Sequence, residues 1–391
     1  MAWDRHAFFE KKAFLIQIAS VFLILLSLYM NSKLIFFIGT ISYSIITFNK
    51  VYGRLAGEGL GVKMARRRDR FFIDEEGKWE LTFQNAGWPI LNGEARIYFD
   101  ENLEPLSGGS EIRVPFSIRK GETRKLEVPF IARRRGLARI RSLEIHIPSY
   151  FGFGAVILEY RLRLDQEVIV YPVRRDVLNK RNILSDKPGS SYAPSSLFED
   201  MLSPAGTRDY MYSDGFKRIH WKASARTGRL QTKIYDRIAE KGIFLSINVS
   251  NGYFVSNDFE ALLESAADIA HFAYANQIPL SVSMNIRNFG DVPFSYLPPG
   301  DGREQLQKVY EMLAIASPNH ATLPYEKMVA YQAGHLHMLP CLIHLGALNG
   351  DSASRLGEVE ANGIRLLFLK ISGDHAELAK SSPSFGRSVL P

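Results

Sequence analysis

AFLIQIASVFLILLSLYM, residues 13–30, and LIFFIGTISYSIITF, residues 34–48, are uncharged runs of eighteen and fifteen residues, separated only by Asn31, Ser32 and Lys33. As a single helix rising about 1.5 Å per residue the stretch would reach roughly 54 Å, far beyond a hydrocarbon core of about 30 Å. Two short antiparallel helices that cross a membrane and return fit that thickness. The shorter second run calls for local thinning, with Ser32 and Asn49 near the interface. Basic residues ahead of an apolar run also suit a secretory signal, but no small-x-small cleavage site follows, only a second apolar segment.

The flanks carry the orientation. Arg5, Lys11 and Lys12 precede the first run, and Lys50, Arg54, Lys63, Arg66, Arg67, Arg68 and Arg70 follow the second, whereas the turn has Lys33 alone. The positive-inside rule then predicts a cell-membrane protein with two spans, both termini in the cytoplasm and everything after about residue 50 on the same side. The lone cysteine, Cys341, agrees with a reducing compartment, since one thiol makes no intrachain disulfide. The arginines at 66–68 suit a solvated topology signal or contact with anionic membrane lipid.

Across 391 residues, 46% are hydrophobic and 23% charged, which excludes collagen-like, disordered and low-complexity chains. The length exceeds what one core organises. Beyond a linker at Gly57–Gly61 the apolar period becomes two: Trp79, Leu81, Phe83; Ile112, Val114, Phe116, Ile118; Leu126, Val128, Phe130; Leu143, Ile145, Ile147. This alternation predicts half-buried antiparallel strands in an all-β sandwich-like domain over 60–172, with Pro115 and Pro129 marking edges or bulges. Periodicity lapses over 173–242, a linker containing the serine-rich stretch 190–196. Over 243–391 strands and helices alternate: IFLSINV, a helix from about Asn257, LSVSMNI, helices near 302–316 and 325–334, CLIHLGAL, a helix capped by Asp351, and IRLLFLKI. That order predicts an α/β doubly wound sheet after the transmembrane hairpin of 1–50 and the β domain.

The linker holds the most specific stretch, GTRDYMYSDGFKRIHWKASARTGRLQTKIYDR at 206–237. Gly206, Arg208, Tyr210, Asp214, Arg218, Ile219, Trp221, Lys222, Ala225, Arg226 and Leu230 resemble the signature of the bacterial domain of unknown function 58 family. RRRGLARIRSLEIHIPSYFGFG at 133–154 is similar to that family's other recurrent stretch. The resemblance implies a membrane-anchored chain with a von Willebrand factor A-like carboxy-terminal domain. It also implies partners, a MoxR-type AAA+ ATPase and a transglutaminase-like membrane protein, but no established reaction.

Taken alone, the segment mixes Arg208, Lys217, Arg218, Lys222, Arg226, Arg229 and Lys233 with Tyr210, Tyr212, His220 and Trp221. Basic and aromatic residues together can stack bases and neutralise phosphates. Against nucleic acid stand Asp214 and Arg218, spaced four apart as a helical ion pair requires, and Trp221 with Ala225, spaced to share a buried stripe. Three readings stay open: a structural motif seating the linker on the α/β domain, a protein-partner surface, or a nucleic-acid or anionic-lipid surface.

The resemblance also implies a place for a metal. Von Willebrand A-like domains hold magnesium with Asp-x-Ser-x-Ser after the first strand, and the corresponding residues here are Asn248, Val249, Ser250, Asn251 and Gly252. Asn248 lacks the carboxylate and Gly252 the last hydroxyl, so magnesium is disfavoured, Ser250 reads as a turn residue, and no cofactor is expected. His335, His337, Cys341 and His344 could suggest a zinc or Cys-His site, but a cysteine in CLIHLGAL reads as a small buried hydrophobe. No Walker loop, zincin helix or serine elbow is present, and no catalytic residue is assigned. The leading expectation is a membrane-tethered interaction or scaffold protein. The alternatives are an enzyme or enzyme subunit in cell-envelope or stress physiology, and a binder of anionic surfaces or nucleic acid.

Overall fold

The computed structural model describes residues 2–9, 11–64, 68–149, 154–162, 164, 166–184, 199–212, 214–237, 242–252, 254–333, 339–362, 364–373 and 375–380. Arg66, Arg67, the serine-rich stretch 190–196, His335 and His337 lie outside the described residues, as do 150–153 of the second recurrent stretch. The chain forms two compact units, Met1–Tyr171 and Pro172–Pro391.

In the first unit, β1 (Trp3–Phe9) leads into α1 (Lys11–Tyr29) and α2 (Lys33–Leu55). Both helices are long and apolar enough to cross a membrane. Phe14, Leu15, Phe22, Leu25, Leu28, Leu34 and Phe37 are exposed, a distribution a water-soluble core helix does not have. Where the helices meet, a Cβ on Gly39 would stand 2.9 Å from Ile24 Cγ1, so glycine permits the close approach. The second helix is longer than the fifteen-residue apolar run because it continues through Asn49 and Lys50 to Leu55. Asn49 is not at an open interface: it is buried and accepts from Ser149 Oγ at 2.6 Å. Gly57 and Gly59, at φ +79° and +80°, turn the chain into the next strand, so this linker is a folded corner.

The strands that follow are β2 (Leu60–Met64), β3 (Arg68–Phe72), β4 (Glu76–Asn85), β5 (Ile90–Phe99), β6 (Leu103–Pro105), β7 (Glu111–Ile118), β8 (Thr123–Ala132), β9 (Gly136–Ala138), β10 (Ile140–Pro148), β11 (Gly154–Tyr160) and β12 (Glu167–Tyr171). They form a five-stranded sheet in the order β1-β11-β10-β5-β7, a four-stranded sheet β2-β4-β8-β6 and a three-stranded sheet β3-β12-β9. Trp79, Leu81 and Phe83 of β4 and Val128 and Phe130 of β8 share one core with Ala95 and Ile97 of β5 and Leu143, Ile145 and Ile147 of β10. Pro115 lies on the edge strand β7, and Pro129 lies just past the point where the short β6 stops pairing with β8, so neither ring removes a needed ladder bond.

The second unit contains β13 (Val177–Leu178), β14 (Glu199–Asp209), α3 (Trp221–Thr227), β15 (Gln231–Arg237), β16 (Ile243–Asn248), β17 (Ser250–Asn251), β18 (Phe254–Val255), α4 (Phe259–Ala275), β19 (Leu280–Arg287), β20 (Phe294–Gly300), α5 (Gly302–Ile315), α6 (Tyr325–Ala333), β21 (Cys341–Gly346), α7 (Gly350–Ala361), β22 (Arg365–Ser372) and β23 (His375–Ala379). Its main sheet is mixed, seven strands in the order β13-β23-β22-β21-β16-β19-β20. The four strands β22, β21, β16 and β19 run parallel, and β20 and β23 pair antiparallel beside them. All six residues of β16 are buried, as expected of a strand covered on both faces. The cap of α7 is Asn349, not Asp351: Asn349 Oδ1 accepts from the Ser352 amide at 2.8 Å, while Asp351 sits inside the first turn. Within the aperiodic span 173–242 the described residues include the antiparallel β14–β15 hairpin.

Candidate functional site

Two places in the second unit concentrate the residues singled out by sequence. The first is the β14–β15 hairpin, where Asp209 pairs with Gln231, Arg208 with Thr232 and Gly206 with Ile234. Residues 210–230 form its tip. Asp214 organises that tip: its carboxylate accepts from Arg208 Nη2 at 2.6 Å, from the Met211 amide at 3.0 Å and from Thr232 Oγ1 at 3.0 Å. Foremost the guanidinium, then the amide and hydroxyl, hold its pKa down at about 2. The Tyr210 hydroxyl donates to the Asp214 carbonyl at 3.1 Å, and the Tyr210 amide to Leu230 O at 2.9 Å. Ser224 Oγ donates to His220 O at 3.0 Å and accepts from the Gln231 amide at 2.8 Å, fastening α3 to the base of the hairpin. His220 Nδ1 caps α3 by accepting from the Ala223 amide at 3.1 Å, and Gly228 ends it at φ +67°.

Two expectations are corrected here. Residues 216–218 form a short 3-10 turn, so no α-helical turn joins Asp214 to Arg218, and the charge of Asp214 is met by Arg208 from β14 instead. Nor do Trp221 and Ala225 form a buried stripe. Trp221 is 67% exposed and Ala225 is exposed, while the residue α3 turns inward is the polar Ser224. Of the signature residues, Arg208, Tyr210 and Asp214 are brought together, Gly206 lies in the hairpin ladder, and Arg218, Trp221, Lys222 and Arg226 are exposed on the tip. Tyr212 at 103% and Phe216 at 76% stand in solvent beside them.

The second place is a crevice of about 560 Å³ lined by Asn248, Ser250 and Asn251 after β16, Ala347, Leu348 and Asn349 after β21, and 322–326 leading into α6. The chain leaves β16 through α4 to β19 on one side and later returns through α6 to β21 on the other. The crevice therefore lies at the carboxyl ends of two parallel strands where the order reverses, the position at which open α/β sheets take ligands. Asn248 Oδ1 accepts from the Ser250 amide at 3.1 Å, Ser250 Oγ at 2.8 Å and Asn285 Nδ2 at 2.9 Å, while its Nδ2 donates to Ala347 O at 2.7 Å. Asn285 Oδ1 accepts from the Val249 amide at 2.8 Å. Among the described residues no group of three or more His, Cys, Asp or Glu could hold a metal ion. Phe254, paired with Asn251 across β17 and β18, is 79% exposed, and Phe289 in the loop after β19 is 92% exposed.

Beneath it lies a buried polar row. Ser246 contacts Tyr325 Oη at 2.8 Å, Tyr325 Oη contacts His344 Nδ1 at 2.6 Å, and Gln332 bridges Ser246 and Ser283. Burial lowers the His344 pKa to about 4 and raises that of Tyr325, so both stay neutral. Cys341 is buried in the same strand as His344, three positions away along β21, and is a core residue. Sequence reasoning missed Asn285, Ser283 and Gln332. A signal was present: LSIN at 245–248 and VSMN at 282–285 repeat one pattern, and the structure pairs them in register, Leu245 with Val282 and Ser246 with Ser283.

The chain thus combines two helices apolar enough for a membrane, a β-rich unit and a unit of mixed sheet with helices. Residues 206–332 match a family described as "Protein of unknown function DUF58", a span that begins within β14 and runs through β15, β16, β19 and β20 into α6. Over 113 residues the chain is 28% identical to "Uncharacterized protein YeaD" of Bacillus subtilis (strain 168), covering 29% of this chain and 27% of that protein's length. Solved structures with local likeness include the CARDB domain of the PF1109 protein from Pyrococcus furiosus, 14% identical with a TM-score of 0.18 over 28% of this chain and 84% of that one. The C-terminal domain of wzt is 10% identical with a TM-score of 0.20, over 29% and 73% of the two chains. Likenesses of that degree carry no argument about fold or function.

Proposed function

We propose that this protein is a membrane-anchored interaction or scaffold protein, its large units facing the cytoplasm, that works with a MoxR-type AAA+ ATPase and a transglutaminase-like membrane protein. Its second unit is read as a doubly wound, von Willebrand factor A-like domain. In support, α4 lies on the connection from β16 to its neighbour β19 and α6 on the connection into its other neighbour β21, and Phe244 of β16, Leu342 of β21 and Leu366 and Phe368 of β22 share a core with α6 and α7. The observation that carries the interaction reading is the switch-point crevice, beside which the exposed Phe254 pairs with the lining residue Asn251 across β17 and β18, since a solvent-exposed aromatic ring beside a polar crevice suits the burial of a partner surface.

The residues do not fit a magnesium centre. Asn248 supplies no charge and its carbonyl oxygen already accepts three hydrogen bonds, so a partner carboxylate bridged by metal is not the mode of docking. A partner would instead meet neutral amide and hydroxyl groups, the Glu326 carboxylate and the neighbouring Phe254.

Crosslinking and purification of the full chain from membranes tests this. The parent is expected to capture the ATPase or the transglutaminase-like protein, and Asn251→Arg or Phe254→Ala, both at exposed positions, is expected to lose that capture with the melting temperature unchanged. Unchanged capture by both variants would overturn the crevice as the docking point.

A further inference from the structure

We propose that the tip of the β14–β15 hairpin is a second contact element that seats on an anionic lipid bilayer surface. Three observations converge. The tip carries the exposed Lys217, Lys222, Arg226 and Arg229 against Asp214, whose charge Arg208 already meets. Met211, Tyr212, Phe216 and Trp221 are 59%, 103%, 76% and 67% exposed, and tyrosine and tryptophan are the side chains that favour the head-group layer, where an apolar ring and a polar edge are both satisfied. The same chain holds two helices long and apolar enough to cross a membrane, which would keep the tip at high effective concentration near a bilayer.

The tip's backbone is held by hydrogen bonds within the hairpin. Asp214, Tyr210, Ser224 and His220 cross-link it with internal hydrogen bonds, so the aromatic and basic side chains project from a scaffold that needs little ordering on docking. Basic residues near an anionic leaflet are attracted over about one Debye length, and exposed rings then add apolar contact that salt does not screen. Single-stranded nucleic acid offers similar chemistry, phosphate with stacking faces. The bilayer is favoured because the anchor helices belong to this chain.

The test uses the full chain in nanodiscs. Gly215 is exposed on the tip, at φ −67°, with open space where a Cβ would be, and the natural thiol Cys341 is buried. Gly215→Cys labelled with an environment-sensitive dye reports on the tip without removing a ring. In discs containing one-third phosphatidylglycerol the dye is expected to shift to the blue and its quenching by aqueous iodide to fall several-fold relative to pure phosphatidylcholine. The shift should vanish in half-molar salt and in Lys217→Glu/Lys222→Glu/Arg226→Glu, and weaken in Trp221→Ala, with melting temperatures kept. Equal emission in both discs would overturn the proposal. So would a salt-insensitive shift of equal size in phosphatidylcholine, or a shift produced only when a single-stranded oligonucleotide is added.

Discussion

The Trp3 indole nitrogen donates to the Leu60 carbonyl at 2.7 Å, tying the chain just before α1 to the chain just after α2. Arg5 repeats the link with the Ala56 carbonyl at 2.7 Å, and β1 pairs antiparallel with β11 from Trp3 opposite Tyr160 to Phe9 opposite Gly154. Helices that leave a sheet and return to it have both outer ends on one side of any bilayer they cross. The hydrogen-bond ladder thus supports, independently of charge counting, a hairpin whose two ends share a compartment.

Combined with the basic flanks, this predicts that residues after about 55 are protected in intact cells. Protease added to spheroplasts should leave the large units whole until detergent is added. Digestion of those units while a cytoplasmic control protein survives would reverse the assigned orientation.

Trp79 and Trp221 should behave oppositely. Trp79 is fully buried between the rings of Phe99 and Phe130, so Trp79→Ala is expected to cost about 3–5 kcal/mol. Trp221→Ala, at an exposed position, should stay within about 0.5 kcal/mol of the parent. Urea unfolding of the full chain in detergent, followed by far-ultraviolet circular dichroism, compares the two; equal losses would mean that Trp221 is covered in solution.

Asn248→Asp should not restore a magnesium site cleanly. The substitution replaces the Nδ2 donor facing the Ala347 carbonyl at 2.7 Å with a second acceptor, a change expected to cost about 1–3 kcal/mol. Calorimetry on the parent is expected to give no saturable magnesium heat in the micromolar range, and thermal melts should place Asn248→Asp below it. A tight magnesium isotherm in the parent would require the neighbouring Glu326 to act as a ligand.

His344 sets a pH dependence. Its folded pKa is about 4 against an ordinary 6.5 because burial excludes the cation. Above pH 6.5 both folded and unfolded chains hold it neutral and its contribution is complete. As pH falls from 6.5 to 4 the unfolded chain takes up a proton that the folded one refuses, so stability drops, by at most about 3 kcal/mol. His271, also lowered foremost by burial, adds in the same direction, so the comparison is with His344→Gln. Urea midpoints measured down this range should fall more steeply for the parent than for the variant; parallel slopes would show that His344 does not titrate as described.

Much of the architecture was legible along the chain, because periodicity records which faces meet apolar surroundings. Two uncharged runs became α1 and α2, alternation at Trp79–Phe83 and Leu126–Phe130 became paired strands of one core, and the strand–helix succession after Ile243 became a mixed sheet with a parallel centre. Partners across space were not legible. Spacing four apart suggested Asp214 with Arg218, but the charge of Asp214 is met by Arg208, because the chain reverses at the tip and 216–218 is a 3-10 turn. Trp221 read as core and is exposed because α3, only seven residues long, turns Ser224 inward instead. Asn248 and Ser250 were found from their place after a strand, whereas Asn285, 35 residues beyond Ser250 and hydrogen-bonded to it at 2.9 Å, joined them only when β16 and β19 came into parallel register. The sequence by itself determined element type and which faces are apolar, since those depend on near neighbours in the chain. Tertiary structure alone decided which charges pair, which rings stay in water and which amides close the crevice, since hydrogen bonds and ion pairs act over a few ångströms between residues that the chain keeps far apart.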